Sequence, residues 1–275
     1  MTERQDAVRG HYEAETGPDF LSRVQALLET LPPGPIEPSQ LAGLDQFHMG
    51  GLPATMRLAE LAGARPGITV LDAGSGLGGP ARYLAKAMGC RVAGVDLSPS
   101  YAALATMLAE RTGLAGQVTF QVGDLLGLPF PADHFDLVWT QHVAMNIADR
   151  PSLYREFRRV LKPDGKLALH DVLWADGKPQ PLFPVPWAES PANSTLLTEA
   201  ETQAVLGKSG FKPLHWLDVT AEALAWASQP RPSAAGRPSL AAVMGPRFAG
   251  MSANFGRNLR EGRLRLMMGV FQADG

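Results

Sequence analysis

The sequence predicts an α/β protein: a mostly parallel sheet with helices on both faces. Three observations carry this. Short apolar runs rich in β-branched residues alternate with helical patterns from residue 68 onward, and buried strands joined by helices form parallel sheets. The first run leads into VLDAGSGLGGPARYLA (70–85), where Gly74, Gly76 and Gly79 have G-x-G-x-x-G spacing. Acids stand at the ends of the first three runs, at Asp72, Asp96 and Asp124.

The elements follow in order. ITVLDAG (68–74) is the first strand, and Pro80 opens a helix, where its missing N–H costs nothing. RVAGVDLS (91–98) is the second strand, with Ser98 capping the next helix and Pro99 starting it. VTFQVGD (118–124), FDLVWTQ (135–141) and KLALHDVLW (166–174) are three more strands. A helix over PSLYREFRRVL is capped by Asp149 and ended by LKPDG. Thr198 and Glu201 fit a capping box for a helix that Gly210 ends, and FKPLHWLDV and LRLMMGVFQ supply the last strands. Ahead of the sheet, residues 1–30 carry a helical face of Phe20, Leu21, Val24, Leu27, Leu28 and Leu31. The loop LPPGPIEPS (31–39) follows, then a helix over 53–62 that packs Met56, Leu58, Ala59 and Leu61. Two stretches break the alternation: 175–197, rich in proline, and 228–250, within a wider insertion at about 221–260. Loops after strand ends line the ligand crevice of such sheets, so 175–197 is expected to cap the substrate.

Charge narrows the function. Lys+Arg is 25 and Asp+Glu is 27, a net charge of −2, which supplies no basic groove for nucleic acid and no polybasic membrane surface. The polar N-terminus lacks a signal peptide's apolar stretch, and the default expectation is a soluble cytoplasmic protein. Cys90 is the one cysteine, so no internal disulfide is possible. No Cys/His cluster has metal-ligand spacing, and no metal is expected.

The glycines alone suit either a dinucleotide or S-adenosylmethionine (SAM). Asp72 and Asp124 decide between them, whereas an acid at Asp96 serves either ligand. A carboxylate beside the turn repels a pyrophosphate and attracts an ammonium or sulfonium. Asp96 is placed to grip a ribose diol, and Asp124 to accept the adenine amino group while Leu125 packs on the ring.

Taken together, VLDAGSGLGGPARYLA, GVDLS, GDLLGLPF, FDLVWTQHV and RVLKPDGKLALHD resemble class I SAM-dependent methyltransferases over about residues 40–220. LDQFHMGG (44–51) is similar to the small-molecule branch holding sarcosine/dimethylglycine, tocopherol-type and ubiquinone/menaquinone methyltransferases. The resemblance implies a Rossmann-like, seven-stranded sheet whose last strand is antiparallel. It also implies an N-terminal helical lid (1–52) that closes over the cofactor, ahead of the methyltransferase domain (53–275). Carried over by residue, Asp72, Gly74 and Gly76 hold the methionine part of SAM. Asp96 and Leu97 hold the ribose, Asp124 and Leu125 the adenine. Gln141 faces the cofactor near the methyl group. Tyr12, Gln46, His48 and Gly50 are lid residues, with Gly50-Gly51 as a hinge.

Methyl transfer needs a desolvated, aligned nucleophile, and a base only for acceptors that lose a proton first. His142 and His48 are the base candidates. His170, Tyr12, Phe183 and Trp187 are expected around the substrate, the aromatic faces suiting an alkylammonium or a flat ring. The expected partner is a small molecule, with an amine nitrogen favoured and a quinol, phenol or natural-product ring as the alternative. A homodimer is a further option. A non-catalytic SAM-binding module is the competing class, since fold does not fix function.

Overall fold

The computed structural model describes residues 8–13, 20–29, 34–229, 239, 245 and 247–274. Its strands are β1 Thr69–Ala73, β2 Arg91–Asp96, β3 Val118–Val122, β4 Phe135–Gln141, β5 Leu161–Trp174, β6 Phe211–Asp218 and β7 Leu264–Ala273. They form one seven-stranded sheet in the order β3-β2-β1-β4-β5-β7-β6. Strands β1 to β5 pair in parallel, and β7 is antiparallel to both β5 and β6. The Rossmann-like expectation is met, reversed last strand included. All parallel strands therefore end on one edge, where ligands bind in such sheets.

Helices cover both faces: α4 Gly51–Ala62, α5 Gly79–Met88, α6 Pro99–Arg111, α7 Arg150–Val160, α8 Glu199–Lys208, α9 Thr220–Ala227 and α10 Phe248–Arg260. Before them come α1 (8–13), α2 Phe20–Glu29 and the short α3 Ala42–Asp45. The caps act as their residue types dictate. Ser98 accepts from the Tyr101 N–H and Asp149 from the Ser152 N–H, while Thr198 and Glu201 close a reciprocal box. Alternation along β1 splits the core in two. Val70 packs with Leu84 and Trp139 on one face, and Leu71 with Val95 and Leu153 on the other.

A third apolar cluster joins the N-terminal part to the sheet. Phe20, Val24 and Leu28, one turn apart on α2, pack with Leu41, Leu44, Tyr101 and Leu104. Beneath it, Arg82 Nη2 on α5 donates to Asp45 Oδ2 at 2.6 Å, with side chains 0% and 1% exposed. Leu31 and the side chain of Leu27 lie outside the described residues.

Three details differ from the sequence expectations. Met56 is 42% exposed rather than packed, because α4 buries Thr55, Leu58, Ala59 and Ala62 instead. LKPDG does not sit outside the strands: α7 stops at Val160 and Leu161 already begins β5. The register then jumps from Phe135↔Leu161 to Leu137↔Lys166, so the residues between bulge, with Asp164 at φ 60°. The 221–260 insertion is bounded by helices α9 and α10, while 230–238, 240–244 and 246 lie outside the described residues.

Candidate functional site

A cavity of about 1340 Å3 opens over the C-terminal ends of β1 to β4. The glycine-rich turn forms one wall. Gly74 and Gly76 have φ of 79° and 50°, and a Cβ on Gly74 would lie 2.4 Å from Val143 Cγ2. No side chain fits there without moving that valine.

Four of the turn's backbone donors are already committed. Gly74 and Ser75 N–H donate to Val95 O at 2.8 and 3.0 Å, and Gly78 N–H donates to Ser75 O at 2.7 Å. Gly76 N–H donates to Asp96 Oδ2 at 2.8 Å. A pyrophosphate cradle needs such N–H groups free and facing the ligand. Here one of them is spent on a carboxylate and three on carbonyls.

Two acids at strand ends face the cavity. Asp96 ends β2, and its Oδ1 also accepts from Ser98 N–H at 2.9 Å. Each oxygen keeps a lone pair, which suits a vicinal diol. Burial raises its pKa above the ordinary range. Asp124 follows β3 and accepts from Leu126 N–H at 2.9 Å through Oδ1. Leu97 and Leu125 line the wall beside these acids. Asp72 is placed differently. It is 2% exposed and does not line the cavity; its carboxylate takes the Ala81 backbone N–H at the start of α5, with Oδ2 left unpartnered. Burial first, and then the charge of Asp96, push its pKa up to about 7.

Across the turn stand Gln46, His48, Thr55 and Gln141. The Thr55 hydroxyl, on α4, lies 2.8 Å from Gln46 Oε1, 3.1 Å from His48 Nε2 and 3.3 Å from Gln141 Oε1. Trp139 Nε1 donates to Gln141 Oε1 at 2.9 Å, and Gln141 Nε2 is left without a partner. The Gly50-Gly51 pair has φ of 93° and 53°, which lets the chain turn into α4 beneath His48.

The histidines divide. His142 follows β4 with φ 53°, donates its N–H to His170 O at 2.8 Å, and lines the cavity with its Nε2 unpartnered. Burial, and then the neighbouring His170 and His48, hold its pKa well below the usual value. Burial likewise lowers His48 to about 4, so both imidazoles are neutral near pH 7. His170 does not reach the main cavity. It is fully buried and lines a separate cavity of about 120 Å3 with Met49 and Glu222. The parallel register explains this: Gln141 and His170 are partners in β4 and β5, and the chain turns toward the ligand only after Gln141.

The cap residues also divide. Trp187 lines the cavity, donates Nε1 to Ser194 Oγ at 2.9 Å and meets Phe255 edge-on at 5.2 Å. Phe183 packs against the core outside the cavity lining. Asn258 on α10 pins Leu182 at both its N–H and its carbonyl, and Asn254 donates to Pro184 O at 3.0 Å, so cap and helix form one wall. Tyr12 lines the cavity from α1, its hydroxyl accepting from Asn146 Nδ2 at 3.1 Å, and burial pushes its phenol up to about 12. Sequence reasoning missed Met49, Met145, Asn146, Trp226 and Phe255, which also line the cavity. Met251, Phe255 and Leu259, spaced by one helical turn, were the available signal for α10. Among the described residues no group of three or more His, Cys, Asp or Glu could hold a metal ion, and no helix is long and apolar enough to cross a membrane.

Comparison with known proteins gives a consistent picture. Residues 71–169 match the family described as a methyltransferase domain. A sterol 24-C-methyltransferase of Gibberella zeae is 37% identical over 43% of this chain and 31% of its own. Phosphoethanolamine N-methyltransferase 3 of Arabidopsis thaliana is 34% identical over 50% of this chain and 27% of its own. A probable tocopherol O-methyltransferase of Oryza sativa is 38% identical over 41% and 31%. The matches thus span about a third or less of these relatives. Among solved structures, geranyl diphosphate C-methyltransferase of Streptomyces coelicolor superposes with TM-score 0.72 at 21% identity, covering 99% of this chain and 98% of that one. The [4+2]-cyclase SpnF gives TM-score 0.67 at 19% identity over 99% and 96%. These likenesses establish the fold.

Proposed function

From the premise that this chain carries a class I SAM-dependent methyltransferase domain, we propose that it transfers a methyl group to a bulky, largely apolar small molecule. The observation that carries the cofactor assignment is the pair of cavity-facing acids, Asp96 and Asp124, beside a turn with four of its backbone donors spent. That set suits a cationic nucleoside better than a pyrophosphate. Asp96 takes the ribose diol, Asp124 the adenine amino group, and Leu125 packs on the ring. Sheet order then leaves the amino-acid end beside Gly74, Gly76, Gln46 and Gln141. When bound, SAM supplies an electrophilic methyl group on a sulfonium.

The acceptor half of the cavity is apolar, lined by Met49, Met145, Trp187, Trp226 and Phe255. The third carboxylate on the lining, Asp149, caps α7 by accepting from Ser152 N–H and Oγ. An apolar ring or chain finds matching surface in the rest of this half. This favours methylation at oxygen or carbon. His142, neutral and on the cavity lining, is the base for such an acceptor once its buried, unpartnered Nε2 turns to the ligand. A second reading keeps the amine acceptor: the Trp187–Phe255 pair presents ring faces and edges that suit an alkylammonium.

The test is direct. Methyl-labelled SAM is incubated with pools of phenols, quinols and isoprenoids, and separately with amines. Release of S-adenosylhomocysteine with the first set is expected. Turnover with amines alone supports the second reading. Absence of both S-adenosylhomocysteine binding and turnover overturns the assignment.

A further inference from the structure

Thr55 belongs to no motif and is fully buried, yet it is the meeting point of the covering segment and the strand ends. Hydrogen-bond directions around it can be worked out from groups with only one option. Gly51 O is an acceptor only, and it lies 3.1 Å from His48 Nε2, so that nitrogen carries the proton. Thr55 Oγ1, 3.1 Å from the same nitrogen, therefore accepts. The hydroxyl has one proton left, and the shorter contact, 2.8 Å, sends it to Gln46 Oε1 rather than to Gln141 Oε1 at 3.3 Å. Trp139 Nε1 is a donor only and fixes the other amide: Gln141 Oε1 turns toward the indole, and its NH2 turns away with no partner.

The outcome is an ordered polar cluster in which one hydroxyl sets the amide of Gln46 and shares the His48 proton with Gly51 O. Gln46 is tightly placed as well: a Cβ on Gly79 would come within 2.6 Å of its Nε2. Gln46 and Gln141 both line the cavity next to the glycine-rich turn.

We propose that Thr55 is a positioning residue for the amino-acid end of the cofactor. It fixes the amide of Gln46 beside Gln141, whose buried, unpartnered NH2 is the donor a carboxylate would meet. This rests on the cofactor reading above. The nucleoside end, at Asp96 and Asp124, does not depend on Thr55.

The experiment exploits that separation. S-adenosylhomocysteine carries both ends, and 5′-methylthioadenosine lacks the amino-acid end. Calorimetry compares both probes on wild type, Thr55→Val and Thr55→Ser. Thr55→Val keeps the shape and removes the hydroxyl, and is expected to weaken S-adenosylhomocysteine about tenfold while moving 5′-methylthioadenosine less than about twofold. Thr55→Ser is expected to restore the wild-type value to within about threefold. Hydrogen exchange adds a second readout: protection of residues 44–51 by S-adenosylhomocysteine is lost in Thr55→Val. Equal weakening of both probes means general damage to the fold and overturns the positioning role. No weakening of either also overturns it, as does a failure of Thr55→Ser to restore binding. If wild type binds neither probe, the cofactor reading itself fails and this proposal with it.

Discussion

Asp72→Asn tests the electrostatics beneath the glycine-rich turn. Asp72 is 2% exposed with one oxygen unpartnered, and burial, followed by the charge of Asp96, pushes its pKa from 3.8 up to about 7. A group whose folded pKa exceeds its unfolded value binds more protons when folded. Stability therefore falls as pH rises from about 4 to about 7 and is level above that window. At about 1.4 kcal/mol per unit, ionising Asp72 in place costs on the order of 4 kcal/mol. The asparagine keeps the shape and removes the charge, while its extra unpaired N–H costs about 1–2 kcal/mol. The variant should then be more stable than wild type by about 2–3 kcal/mol at pH 8, and equal or slightly weaker at pH 4.5. Urea unfolding followed by circular dichroism at both pH values measures this. Asp171, raised to about 6 chiefly by burial, titrates in both proteins and cancels in the difference. The reasoning is refuted if the two proteins differ by the same amount at both pH values.

Two further outcomes follow from the geometry. Asp96→Ala removes the acceptor of Gly76 and Ser98 N–H together with the proposed diol ligand, and should weaken S-adenosylhomocysteine by about ten- to a hundredfold in calorimetry; unchanged affinity would move the ribose elsewhere. Arg82→Met strands the Asp45 carboxylate in the core and should cost about 3–5 kcal/mol in urea unfolding, with most of it recovered in Asp45→Leu/Arg82→Met; a loss under about 1 kcal/mol for the single variant would contradict the buried-pair assignment.

The alternation of strands and helices, the caps at Ser98, Asp149 and Thr198, and the acids at Asp96 and Asp124 were legible because each depends on a few neighbouring residues. Trp139 in the core followed from its apolar strand. What lay hidden depended on distant packing. Asp72 has the residue type for a cationic ligand, but only the fold reveals that the Ala81 N–H claims it. His170 was expected beside the substrate, yet its strand register keeps it behind Gln141. Phe183 and Trp187 share one cap; Asn254 and Asn258 on α10 decide how that cap is held, and only Trp187 reaches the cavity. Thr55 gave no signal at all, since a lone threonine on a helix is ordinary until Gln46, His48 and Gln141 gather around it.

The position of β7 bears on how the molecule is made. It is the last of the seven strands to leave the ribosome, yet it lies between β5 and β6 rather than at an edge. From α8 onward the flank of β5 that β7 will cover stays open, and β6, once made, has no strand to pair with while α9 and α10 follow. Helix α10, which supplies Phe255 to the cavity wall, emerges just before the strand that locks it in place. A nascent chain halted short of β7 thus carries the glycine-rich turn, Asp96, Asp124 and the whole cavity lining, but not the strand that holds α10 against the sheet. Until β7 is made, the exposed flank of β5 is a surface for chaperones to shield.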